Sequence, residues 1–179
     1  MSNTSADPHK VKLERAVAEE FLLPYNLATG RAFVVLRAGE PPEPDVLCLD
    51  RSTGEEIGIE VGTAYYEPDH ARAIWKRARG REVSTYFIRG RDRIQNVRVL
   101  AQALRIIRAK SRKSRTNYRV SGRLLLVVLT YPQRLYLSDV EERLGTLRIP
   151  SSHPFNEMHI VSQYGEVYCL FPARGWVLQ

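Results

Sequence analysis

Six consecutive apolar residues, Leu124 to Leu129 (LLLVVL), constrain the fold of this chain more than any other stretch. A strand with one wet face alternates apolar and polar side chains, whereas a strand apolar on both faces has to be covered on both sides. The stretch therefore predicts a central strand held between helices. The segment before it, about residues 92 to 114, places Ile94, Val97, Leu100, Ala101, Leu104 and Ile107 at helical spacing and predicts the longest helix. A helix that feeds a doubly covered strand is a β-α-β crossover. It sets that strand parallel to its neighbour and puts the chain in the α/β class.

Upstream, Pro44 to Gly62 (PDVLCLDRSTGEEIGIEVG) reads as two short strands around a turn. Val46 to Leu49 is the first strand. Asp50-Arg51-Ser52-Thr53-Gly54 is the turn, rich in residues that bond their own backbone or accept positive φ. In the second strand, Glu55 to Val61, Ile57, Ile59 and Val61 share one face, and Glu56, Gly58, Glu60 and Gly62 share the other. Asp45 opens one strand and Glu60 closes its neighbour, and antiparallel neighbours lie about 5 Å apart. The pairing puts two carboxylates at one edge of a small sheet, the minimum equipment for a hard divalent cation. Glu40 and Glu43, in the loop before Pro44, read as solvated acids.

The remaining elements follow from pattern. Residues 1 to 8 are polar and read as a disordered start, with residues 9 to 179 as a single domain. A helix is expected over about 9 to 23, stopped by Pro24, with Leu13, Ala16, Val17 and Phe21 on its apolar face. With Leu13 at zero on a wheel of about 100° per residue, Glu20 falls near −20°, inside that face, while Glu14 and Glu19 point elsewhere. A strand over Ala32 to Arg37 and a short amphipathic helix over about 67 to 79 complete the first half. Trp75 on that short helix reads as core. VSTYFI (83 to 88) suits a strand or an extended link. After the central strand, Ser138 and Glu141 resemble an N-cap and its capping-box partner, opening a brief helix that stops at Gly145. Met158 to Gln163 and Glu166 to Phe171 read as a closing hairpin.

Pro44-Asp45, the gap, and Glu60 resemble the pattern of the PD-(D/E)xK nuclease superfamily, the restriction-endonuclease-like fold. The order helix, three strands, helices, strand is similar to its αβββαβ core, over roughly residues 9 to 130. The resemblance implies a mixed central sheet flanked by helices, here with the C-terminal hairpin as an extension. It implies Mg²⁺ or Mn²⁺ held by Asp45 and Glu60, with the Val61 carbonyl as a further oxygen and Glu20 as the acid that the first helix of such proteins often supplies. The motif departs at its lysine, where this chain has Gly62. Some superfamily members take that lysine from a neighbouring helix, and others have lost it and do not cut. The replacements open to this chain are Lys110, Lys113 and Lys76.

Charge adds an independent argument. Between Arg72 and Arg123 lie 17 of the 27 basic residues, against two acids, Glu82 and Asp92. Such an excess favours a polyanion. The basic helices, with Arg72, Lys76, Arg108, Arg112 and Arg115, are expected to carry a DNA backbone. Cutting duplex DNA would call for two copies of the chain. No apolar run is long enough to cross a membrane, and the start has no secretory pattern. Cys48 and Cys169 lie in apolar runs and read as reduced thiols, which fits the cytoplasm. The expectation is a metal-dependent DNA nuclease. Two alternatives stand beside it: a nuclease-like fold that binds nucleic acid without cutting, and a basic protein that docks an acidic protein partner.

Overall fold

The computed structural model describes residues 7–65, 68–80, 93–131, 136–144, 149, 151–172 and 175–178. Its elements run α1 (Pro8–Thr29), β1 (Phe33–Ala38), β2 (Val46–Asp50), β3 (Glu56–Tyr65), α2 (Pro68–Ala78), α3 (Arg93–Ser111), β4 (Arg123–Tyr131), α4 (Leu137–Leu144), β5 (Glu157–Ser162), β6 (Val167–Phe171) and β7 (Gly175–Leu178). Among the described residues the strands form one seven-stranded mixed sheet in strict chain order, β1 to β7. The pairs β3–β4 and β4–β5 are parallel and the other four are antiparallel. The Leu124–Leu129 run lies at the centre of this sheet, as its two apolar faces require.

Each face of the sheet has its own helix. Leu125, Val127 and Leu129 join Ile57, Ile59 and Val61 beneath α1, where Val17, Ala18, Phe21, Leu22 and Tyr25 are buried. Leu124, Leu126 and Val128 face the other way, toward Val99, Leu100, Ala103, Leu104 and Ile107 of α3 and Val140 of α4. The period-2 alternation of β3 and β4 thus assigns alternate residues to two separate cores.

Several expectations shift. Helix α1 runs through Pro24 to Thr29 instead of stopping before it. Proline removes one backbone donor, but the last turns are held from outside: Tyr25 is buried, and the Asn26 side chain bonds both the N–H and the carbonyl of Phe33, at 2.9 and 2.8 Å. Gly30, at φ 65°, ends the helix instead. Asp7 caps its start by accepting from the His9 N–H. In α3 the buried stripe includes Val99 and Ala103, while Ala101 is exposed. Helix α4 starts at Leu137, so Ser138 sits within its first turn. Strand β7 extends the C-terminal hairpin to three strands. Trp75 is half-buried, with the Arg79 guanidinium 5.9 Å from its ring centre. The VSTYFI segment lies outside the described residues, as do residues 1–6. Cys48 and Cys169 are free thiols. Among the described residues no helix is long and apolar enough to cross a membrane.

Candidate functional site

Strand β2 begins at Val46, paired with Ile59, while β3 continues to Tyr65. Beyond Ile59 the β2 side of β3 therefore loses its backbone partner. Asp45 fills the first gap, its Oδ2 accepting the Val61 N–H at 2.9 Å. A residue in a strand aims its N–H and its carbonyl to the same side. The Val61 carbonyl thus faces the side that Asp45 occupies.

The chain leading into Asp45 is fastened in place. Pro44 packs on Gly58, where an added β-carbon would stand 2.4 Å from the Pro44 Cγ. The Gly39 N–H donates to the Asp45 carbonyl at 3.0 Å. Glu43, read from sequence as a solvated acid, is the hub of this loop. It receives both terminal nitrogens of Arg37, at 2.7 and 2.9 Å, the Glu40 N–H at 3.0 Å, and Arg119 at 3.4 Å. The bidentate Arg37 pair first, and the Glu40 N–H with it, hold the Glu43 carboxyl down to about 2. The Arg119 N–H closes the ring on the Pro42 carbonyl.

Glu60 lies on the opposite face of β3 from Ile59 and Val61, the face covered by α3, and it is buried. Lys110 Nζ donates to its Oε1 at 2.7 Å, and Lys113 Nζ reaches the same oxygen at 3.2 Å. Burial works to raise Glu60, but the charge and hydrogen bonds of the two lysines outweigh it and leave the carboxyl below its ordinary range. Asp45 shifts the other way. Burial first, and then the Glu60 charge, push its carboxyl up. The Tyr118 hydroxyl lies in the field of Glu60; burial first, and then that charge, raise it, and Lys113 sits 5.4 Å from its ring centre.

The departure at Gly62 has a packing cause. A β-carbon there would stand 2.7 Å from the Ile106 Cγ2 and 3.3 Å from the Val128 Cγ2. Helix α3 lies directly on β3 at this point, so any side chain at position 62 requires Ile106 to shift. One turn further along the same helix, Lys110 delivers an ammonium to Glu60.

The other expected residues are distributed unevenly. Glu20 is exposed, and the buried carboxylate of α1 is Glu14, 8% exposed. The wheel centred on Leu13 misplaced the stripe. Its real centre, near Phe21 and Tyr25, lies roughly 100° away, where Glu14 falls. Burial first, and then the Asp45 charge, raise Glu14, and Lys10 bonds it at 3.0 Å. Lys76 and Arg72 are exposed on α2, with Arg72 paired to Asp69. Arg108 and Arg112 are exposed on and just beyond α3. Arg115 instead spends its guanidinium on the carbonyls of Gly122, at 2.7 Å, and Pro154, at 3.3 Å. It borders an open pocket of about 460 Å³ with Arg123, whose partners are Glu55 and Glu157.

Oxygen donors from Asp45, Glu60 and the Val61 carbonyl, with neither sulfur nor imidazole, suit a hard cation. Among the described residues no three acidic, histidine or cysteine side chains already form a cation cage. Glu14 stands near enough to Asp45 to feel its charge. Comparison with family models, curated proteins and solved structures finds no match to the chain.

Proposed function

We propose that this protein is a metal-dependent nuclease that hydrolyses phosphodiester bonds of DNA on a restriction-endonuclease-like core. The observation that carries the reading is Lys110 on Glu60 at 2.7 Å, beside an Asp45 that faces the same segment of β3. The motif has a gap at Gly62, and α3 supplies an ammonium where the gap would otherwise leave none. The element order and the antiparallel β1-β2-β3 meander followed by a parallel β4 support the core assignment.

In this reading Asp45, Glu60 and the Val61 carbonyl hold Mg²⁺ or Mn²⁺, with Glu14 in the place expected of Glu20. When bound, such an ion orients and acidifies water and offsets charge on the phosphorus. Lys110 orients the attacking water and stabilises the developing anion. Lys113, nearer solvent, steadies Glu60 and meets the phosphate. Arg108 and Arg112 carry the backbone of the DNA.

The test is cleavage of plasmid and single-stranded DNA with Mg²⁺ or Mn²⁺, comparing the natural chain with Asp45→Ala and Glu60→Ala. Cleavage lost in both variants supports the reading. A second reading, binding without cutting, is favoured by the lysines already bonded to the carboxylates. DNA affinity that falls steeply with salt, and no cleavage, would establish it.

A further inference from the structure

The Lys10 ammonium is placed differently from the other two lysines at this site. Lys110 and Lys113 come from α3 and both bond a single oxygen, Oε1 of Glu60. Lys10 comes from α1, on the other side of the sheet. Its Nζ lies 3.0 Å from Glu14 Oε1 and 3.8 Å from Asp45 Oδ1. Asp45 Oδ2 is committed to the Val61 N–H, so Oδ1 is the oxygen left to face a ligand. Lys10 therefore bridges two carboxylates that are mostly withdrawn from water, with side chains 11% exposed at Glu14 and 19% at Asp45. The lysine side chain is 56% exposed on a flexible four-carbon stem, so it can swing into water without disturbing α1.

We infer that Lys10 is the built-in counter-cation of this site, and that a divalent ion binds Asp45 and Glu14 by displacing the Lys10 ammonium. The inference rests on the metal reading above and names the residue that sets how tightly the ion is held. An ammonium and a divalent ion cannot share one carboxylate pair at contact distance without strong repulsion. Every binding event includes the cost of moving Lys10 aside, and its removal lowers that cost. Lys10 thereby sets the cation concentration at which the site loads.

The test is calorimetric titration of the full chain with Mn²⁺, with no DNA present and therefore no activity in the readout. The proteins are the natural chain, Lys10→Met, Lys10→Arg, Lys12→Met and Asp45→Asn, each checked for folding by circular dichroism. Lys12 is exposed two residues away and controls for the loss of one charge from the chain. Lys10→Met should bind Mn²⁺ about tenfold tighter, Lys10→Arg and Lys12→Met should match the natural chain, and Asp45→Asn should lose binding. Binding by Lys10→Met alone would also support the inference, as a site its own lysine keeps closed. If Asp45→Asn loses binding while Lys10→Met binds no tighter, or if Lys12→Met tightens it equally, the Lys10 inference is overturned and the metal reading stands. If none of the proteins binds Mn²⁺, both fall.

Discussion

Gly62 lies so close beneath Ile106 that a β-carbon would stand 2.7 Å from the isoleucine Cγ2, and four residues along α3 Lys110 bonds Glu60. The two facts are one arrangement. Close approach of the helix removes any side chain from position 62 and brings an ammonium to the carboxylate two residues earlier on β3. Gly62→Ala is expected to force α3 off the sheet and cost about 1–3 kcal/mol. Urea unfolding would show this as a lower midpoint with an unchanged slope. Gly62→Lys, which restores the motif on paper, should be worse on both stability and cleavage. A neutral Gly62→Ala would mean that the contact yields and that the glycine has another cause.

Lys110 and Lys113 share one oxygen of Glu60 unequally. Lys110 is the shorter bond, and its side chain is 20% exposed against 45% for Lys113. Lys110→Ala should lower the cleavage rate by about 10²-fold or more, with DNA affinity changed only a few-fold. Lys113→Ala should show the smaller rate loss. Single-turnover cleavage beside anisotropy binding separates the two effects, and the opposite ranking would assign the catalytic role to Lys113.

The Glu43 hub predicts an acid-sensitive loop. The Arg37 pair holds its folded value at about 2, below an unperturbed glutamate near 4.3. A depressed carboxyl contributes stability that is fully present above the unfolded value and is lost as pH falls through the folded one. Glu43→Gln should therefore be less stable than the natural chain at neutral pH, with the gap closing between about pH 4.3 and 2. Thermal melts across that range would check it. A gap that stays constant would show that the hydrogen bonds matter and the charge does not. Because the loop leads into Asp45, Glu43→Gln should also weaken cleavage at neutral pH.

The basic surface divides into two groups. Arg108 and Arg112 are exposed, whereas Arg115 ties two backbone carbonyls. Arg108→Ala and Arg112→Ala should leave the melting temperature unchanged and each reduce the log–log salt slope of DNA affinity by about 1. Arg115→Ala should lower the melting temperature. A salt slope that none of the three alters would move the DNA path off this helix.

The hairpin that carries Asp45 and Glu60 and the two-sided central strand were legible in the sequence. Strand pairing is local here, and a period of two leaves little choice of face. Ile57, Ile59 and Val61 could not share a core without turning Glu60 and Gly62 to the other side. What only the tertiary structure decided is which helical residues meet those carboxylates. A helix advances about 100° per residue, so a stripe referenced to Leu13 and not to Phe21 and Tyr25 exchanges Glu14 for Glu20. Exposed Leu23 and Leu27, each 75% exposed, blur the stripe further. That Lys110 and Lys113 reach Glu60 depends on the depth at which α3 docks on β3. That depth is set by Gly62 against Ile106, residues 44 positions apart that pattern along the chain does not bring together.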